Sequence, residues 1–411
     1  MPNWNQPLSR LPDATDVLVV GSGPAGSAAA RVLAQAGRSV VLVDAQTFPR
    51  DKTCGDGLVP DTHAALRRLG VIDEVLQRAQ GAAAARCLAP NGRHVDVAGE
   101  LAVLPRRELD ALLCRAAVDA GALHAAPARF VAPLRGDSGH VTGALLDDGH
   151  TQRPLTARWL VLATGAGTGP LAALGLCQRK SPSCMAIRGY VRHTDPDMAA
   201  AVGGLRFVWH PTLRDGYGWI FEGPDHTYNL GTGVLVGQLD EDRGKPPRNL
   251  RRMFDDFVAI DPVAARLVRE GTMVGELKGA PLRCDLEGAT WTAPGVLVVG
   301  DAVGATYSFS GEGIGKAMET GIAAAQALIA HPDDAAAVEA AYRASLQALK
   351  PRFDMYRQAA SFNRHPWLLN IMVWRANQSP RILAKLSDIL NERRLPGSLL
   401  TWRGVRSMLL P

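Results

Sequence analysis

"DVLVVGSGPAGSAAARVLAQAGRSVVLVDA" runs from Asp16 to Ala45, and its order of residue types decides the fold. Val17–Val20 is a short apolar run of the kind buried on both faces in a parallel sheet. Gly21, Gly23 and Gly26 then give G-x-G-x-x-G. Ser27–Ala36 predicts a helix stopped by Gly37, and Ser39–Val43 predicts a second apolar strand ending at Asp44. Gly21 permits a tight turn, Gly23 admits a pyrophosphate close to the backbone, and Gly26 lets helix and strand pack. Pro24 and Ala25 lie at the helix start, whose free N–H groups and dipole favour phosphate. Asp44, followed by Ala45, stands where an acidic side chain takes ribose hydroxyls. A glycine-rich turn alone would not need strand, turn, helix, strand and acid in this order.

A second motif separates flavin from nicotinamide. In "APGVLVVGDAVGATYSFSGEGIGKAMETGIAAAQAL", Ala293–Leu328, an apolar strand ends at Gly300-Asp301. Gly311, Gly313 and Ile314 follow at a helix start, where N–H groups point at a ligand carbonyl. That arrangement suits the ribityl chain and pyrimidine end of FAD, and stabilises the anionic charge of a reduced flavin. Arg106, which opens R-x-x-L-D, and Gly165, in "ATGAG", are expected cofactor contacts of the same site, and Val131 is counted with them. Each of these is, alone, more often plain structure.

The bulk numbers set the class. The chain has 411 residues, 47% hydrophobic and 21% charged, a prior of roughly two to three domains in a globular protein. Its 6 cysteines form no C-x-x-C and no zinc spacing, so no metal is expected and a reduced, cytoplasmic setting is. No signal peptide is visible, and no apolar run reaches the roughly 18 residues of a membrane-spanning helix. The net charge of +5 is uneven: Pro351–Pro411 carries ten Lys/Arg and three Asp/Glu, or +7, leaving −2 for the rest. Such a distribution argues against nucleic-acid binding. The Ala-rich stretches Ala82–Ala85 and Ala335–Ala337 read as helix or loop filler.

"RDKTCGDGLVP", Arg50–Pro60, sets a thiol among glycines and charges rather than in an apolar run. With "DGYGWIFEG", Asp215–Gly223, and "GEGIGKAMETG", Gly311–Gly321, it resembles the geranylgeranyl reductase family. That family belongs to the FAD-dependent oxidoreductases of the para-hydroxybenzoate hydroxylase-like fold and includes menaquinone and archaeal lipid reductases. The matches are to K-x-C-G-x-G-L, to Y-x-W-x-F-P and to the flavin-binding helix start, in order over most of residues 14–395. Two departures stand out. Glu222 replaces the proline after Phe221, and "TYSFSGEG" lacks the proline and asparagine usual before G-E-G.

The resemblance implies an α/β fold: a Rossmann-like FAD-binding domain of the glutathione reductase type, an inserted, mainly antiparallel β-sheet substrate domain, and a C-terminal helical region. The expected boundaries are 1–170 with 285–335, then 171–284, then 336–411. By position in the family, Gly55 and Gly57 let the backbone approach the flavin, and Cys54 lies beside its ring, facing substrate. Alkene reduction needs a hydride from reduced flavin N5 on one carbon and a proton on the other. Cys54 is the proton-side candidate, with Lys52 favouring its thiolate; the plainer alternative is packing against the ring. Tyr217 and Trp219 project from one face of a strand and, with Phe221 and Glu222, are expected to wall the substrate pocket; ordinary sheet core is the alternative.

The expected activity is reduction of isoprenoid C=C bonds in a prenyl lipid or prenylquinone. The alternative is a monooxygenase acting through a flavin C4a-hydroperoxide on an aromatic substrate. Its halogenase form is disfavoured because W-x-W-x-I-P is absent. A non-catalytic flavoprotein is disfavoured by the intact Asp301 and G-E-G-I. The substrate is therefore hydrophobic or aromatic, and NADPH, reduced flavin or a ferredoxin-like partner stay open as electron donor. Basic, Trp-rich "HPWLLNIMVWRANQSPRILAKLSDILNERR" reads either as helices packed on the substrate sheet or as a peripheral contact with the inner face of the membrane.

Overall fold

Numbered along the chain, the strands are β1 Ala14–Val20, β2 Val40–Val43, β3 Gly57–Leu58, β4 Gln80–Leu88, β5 His94–Val103, β6 Leu123–Ala125, β7 Arg129–Arg135, β8 Val141–Asp147, β9 Gln152–Leu162, β10 Cys184–Arg192, β11 Leu205–Val208, β12 Gly216–Glu222, β13 Thr227–Leu235, β14 Thr272–Leu282, β15 Thr292–Ala293 and β16 Val296–Val298. They come from a computed structural model that describes residues 4–236 and 249–394. β1 is parallel to β2 and β9, with Val17 opposite both Val40 and Trp159. This sheet runs β15-β16-β9-β1-β2-β6, with β8 and β7 added beyond β9. Val17, Leu18 and Val19 are fully buried, which is why the run is unbroken by polar residues.

The first helix spans Pro24–Gln35, starting three positions before the expected Ser27. Pro24 sits at its first turn, where the missing N–H costs nothing. The helix Ile314–Ala330 packs across it on small residues. A Cβ at Gly321 would lie 2.1 Å from the Ala25 carbonyl oxygen, so the backbones touch.

The second sheet runs β14-β10-β13-β12-β11-β4-β5-β3. The expected boundary put residues 1–170 in the nucleotide-binding part, yet β3, β4 and β5 belong to this sheet. Ala82–Ala85, read as filler, lies in β4, whose Ala85 pairs in parallel with Leu205 of β11. Alanine's helix preference is weak against a ladder offered by a neighbouring strand. Ala335–Ala337 instead opens the helix Ala335–Ala359.

One face of the second sheet is covered by the helices Leu250–Ile260 and Pro262–Glu270, through buried Phe254, Phe257 and Leu267. A Cβ at Gly218 would lie 2.3 Å from the Phe257 ring. The C-terminal helices Trp367–Gln378 and Pro380–Leu390 pack on β5, where Leu368, Leu369 and Val373 cluster with Val95, Val97 and Trp209. This is the helical packing foreseen for the tail; its residues 395–411, with Trp402, Arg403 and Arg406, lie outside the described residues.

The tightest constraint predicts a variant. A Cβ at Gly26 would lie 1.8 Å from the Gly21 carbonyl oxygen. Gly26→Ala therefore lowers folding stability by about 1–3 kcal/mol, read as a lower urea midpoint; an unchanged midpoint would show that turn and helix separate freely.

Candidate active site

A cleft of about 490 Å³ lies where the two sheets meet, within the usual range for ligand sites. At one end is the glycine turn. Gly21 has φ 106°, and its N–H donates to the Val43 carbonyl at 2.7 Å. The Asp44 carboxylate accepts from the backbone N–H groups of Ser22 (2.8 Å) and Gln46 (2.9 Å). Two guanidiniums flank the turn: a Cβ at Gly23 would lie 3.4 Å from Arg50 Nη2 and 4.0 Å from Arg106 Nη2. Both arginines share Asp110, Arg106 through a bidentate pair at 2.6 and 2.8 Å and Arg50 at 3.2 Å. Burial opposes the Arg106 charge, but Asp110 more than offsets it and the pKa rises.

The cysteine loop is fastened from below. Asp56 is fully buried at φ 65°. Its carboxylate accepts from Tyr190 Oη at 2.5 Å, Asn229 Nδ2 at 2.7 Å and the Arg106 N–H at 3.2 Å. Asn229 Nδ2 also donates to the Cys54 carbonyl at 2.7 Å, and its Oδ1 accepts from Trp219 Nε1 at 2.9 Å. Upstream, Asp51 pairs with Arg188 (2.5 Å) and Lys278 (2.7 Å). Gly55 and Gly57 also make room for the second sheet, since a Cβ there would lie 3.1 and 3.3 Å from the Phe221 ring. Burial raises Asp56 to about 6 and pushes the Cys54 thiol up, against the pull of Arg106 and Lys52. The expected thiolate is thus corrected: the cleft lowers Lys52 by burial and keeps Cys54 protonated.

Tyr217, Trp219 and Phe221 project from β12 into the cleft, with Leu205 and Phe207 beside them. Ring centroids of Phe207 and Phe221 lie 5.1 Å apart, and those of Trp209 and Tyr217 5.5 Å. Glu222 does not join this wall. It is next along the strand and projects to the opposite face, opposite the buried Tyr228 of β13, and burial raises its carboxyl. Val131 is likewise misplaced: it is 37% exposed, and its neighbour Phe130 lines the cleft instead. Gly26 packs behind the turn rather than on the cleft, whereas Gly21, Gly23, Pro24, Ala25, Asp44, Ala45, Arg106 and Gly165 all line it.

At the other helix start, Asp301 Oδ1 accepts from Thr306 Oγ1 at 2.6 Å, and Gly311, Gly313 and Ile314 line the cleft beside it. The first N–H groups of the helix Ile314–Ala330 have no acceptor within the helix. Glu312, inside the same motif, also lines the cleft. Burial, with Asp61 and Glu392 nearby, raises it to about 8. Arg50 and Glu312 lay within quoted stretches and were readable as charges beside a turn. Asp56 and Asn229 carried no local signal, because their partners come from distant strands.

Glu312 gives a pH signature. A carboxyl raised in the folded state contributes stability that is complete below the ordinary carboxylate range and lost as pH rises through about 8. Asp56 and Asp61, raised to about 6, finish titrating below that window. From about pH 7 to about pH 9, the native protein loses more stability than Glu312→Gln; parallel urea midpoints would refute the assignment.

Comparison with known proteins identifies the family and the fold. Residues 14–345 match the family model described as FAD binding domain. The menaquinone reductase of Mycolicibacterium smegmatis is 34% identical over 330 residues, 76% of this chain and 75% of that one. Digeranylgeranylglycerophospholipid reductase 2 of Methanopyrus kandleri is 28% identical over 312 residues, 74% of each chain. Among solved structures, the flavin-dependent brominase Bmp2 superposes with a TM-score of 0.73 at 20% identity, covering 96% of this chain and 97% of that one, a likeness of fold alone.

Proposed function

The chain belongs to the FAD binding domain family and, within it, to the geranylgeranyl reductase family; from that premise we propose that this FAD-dependent oxidoreductase saturates isoprenoid C=C bonds of a prenyl lipid or prenylquinone. The observation that carries the reading is one continuous cleft, polar and arginine-flanked at the glycine turn and aromatic-walled at the far end, with Cys54 between. The residues present fit FAD. Arg50, Arg106 and the Pro24 helix start suit its pyrophosphate, Asp44 a ribose, and Asp301 with the Gly313–Ile314 helix start the ribityl and pyrimidine parts. When bound, reduced FAD would supply a hydride, one proton with two electrons, to one alkene carbon. The Cys54 thiol gives a proton to the other carbon, and solvent restores it. Tyr217, Trp219, Phe221 and Phe207 exclude water and hold the prenyl chain by apolar burial.

Dithionite-reduced holoenzyme, mixed without oxygen with a menaquinone or geranylgeranyl diphosphate, tests the reading. Reoxidation of the flavin with a product two hydrogens heavier per bond is expected, and Cys54→Ala slows it by roughly 10²–10⁴-fold. A flavin that stays reduced until air enters, then oxygenates an aromatic compound, would make the protein a monooxygenase. Full turnover in Cys54→Ala would remove the thiol's role alone.

The substrate class calls for a bilayer. Among the described residues no helix is long and apolar enough to cross a membrane. Trp367 and Trp374 are 49% and 41% exposed on the helix Trp367–Gln378, with Arg375 against Trp374. That aromatic and basic face rests on the membrane surface. The protein is expected to float with anionic liposomes and Trp367→Ser/Trp374→Ser to stay behind; background recovery of the native protein on every liposome would end the proposal.

A further inference from the structure

We propose that Cys184 and Cys284 form a peroxide-sensitive dithiol in the wall of the cleft, closing to a disulfide on oxidation and reopening with a thiol reductant. Their Sγ atoms lie 3.4 Å apart although 100 positions separate them in sequence. Both side chains are buried, at 9% and 1% exposure, and both line the cleft. The backbone holds them there. Cys184 opens β10 opposite Leu282 at the end of β14. Ser183, one residue before, donates its N–H to the Leu282 carbonyl at 2.9 Å, and its Oγ accepts from the Cys284 N–H at 3.0 Å. The sulfurs are therefore presented to one another by a paired ladder rather than by a mobile loop. Closing to the disulfide length of about 2.05 Å asks for side-chain rotation and a small shift of the wall.

The oxidant is hydrogen peroxide, the product of a reduced flavin and dioxygen, so it arises in the same cleft. Cys184, the more exposed of the two, meets it first. Its sulfur attacks the O–O bond: an S–O bond forms, the O–O bond breaks, and one water leaves. Cys284 then attacks that sulfur: the S–S bond forms, the S–O bond breaks, and a second water leaves. Two thiols and one peroxide give one disulfide and two waters. Cys284 holds its proton tightly, through the hydrogen bond with Cys184 and through burial. Because thiolate is the nucleophile in the closing step, closure quickens as pH rises. The proposal is independent of which alkene the enzyme reduces.

The test uses FAD-loaded holoenzyme, reduced with thiol, desalted, and treated with a stoichiometric amount of hydrogen peroxide at several pH values. Unfolding in N-ethylmaleimide and peptide mass mapping then count the 6 cysteines. Expected is loss of two alkylation sites, a single linked peptide pair joining Cys184 to Cys284, faster linkage at higher pH, and recovery with dithiothreitol. Cys184→Ser and Cys284→Ser, checked for an intact flavin spectrum, should each abolish the link. Full alkylation after peroxide, a link through any other cysteine, or sulfinic acid at either position without a link would overturn the proposal. The native protein's map decides the matter even where a variant fails to fold.

Discussion

No side chain can stand at Gly21: a Cβ there would lie 2.2 Å from the Ala163 carbonyl oxygen. The end of β1 is pressed between its neighbours, with the Gly21 N–H on the Val43 carbonyl and the Ala163 N–H on the Val20 carbonyl. This contact brings the ends of β2, β1 and β9 to one level and turns the chain straight into the helix Pro24–Gln35. The same economy of side chains recurs where that helix meets the half of the site that holds Asp301. A Cβ at Gly300 would lie 2.8 Å from the Ala25 Cβ, and Gly321 meets the Ala25 carbonyl. Two helix starts thus face one cleft, and their positive dipole ends converge on it.

A second constraint decides how the cysteine is presented. Asp56 would be costly as a buried charge without partners. Tyr190, Asn229 and the Arg106 backbone satisfy it. Because Tyr190 and Asn229 belong to β10 and β13 while Arg106 opens a helix on the nucleotide side, one carboxylate ties the loop to both halves. Asn229 extends the tie to the Cys54 carbonyl and to Trp219 of the aromatic wall. The glycines beside Cys54 then have a double use, since Phe221 fills the space a side chain would need. The cysteine stands on a rigid mount, and its burial keeps it a thiol.

The local patterns in the sequence were enough for the nucleotide half. Apolar runs, glycine spacing and a following acid are properties of contiguous residues, and β1, its helix and β2 follow them closely. The second sheet was legible only where strands alternate. β4 was hidden because alanine says little until Leu205 and its neighbours offer a ladder. Glu222 was assigned by its place in a motif, although the alternation that turned Tyr217, Trp219 and Phe221 inward turns it outward. Lys52 was expected to stabilise a thiolate, but solvent exclusion acts on both groups and favours their neutral forms. Asp56, Asn229 and the Cys184–Cys284 contact depend on partners far along the chain, so no window of sequence contains them.

The charge cluster behind the second helix start shows why the C-terminal helices belong to the catalytic unit. Lys316 is 2% exposed and could not be buried alone. It meets Asp61 at 3.7 Å, Glu319 at 2.9 Å and Glu392 at 3.1 Å, and Glu392 also meets Arg352 at 3.1 Å. With Glu312 the carboxylates outnumber these two cations, and burial, together with that excess, keeps protons on them: Asp61 rises to about 6 and Glu312 to about 8. Glu392 follows directly on the last packed helix. Removing it would change the protonation of an acid that lines the cleft, without touching the cleft itself. The helices that cover β5 therefore help to set the charge of the site, through a residue that lies outside the cleft.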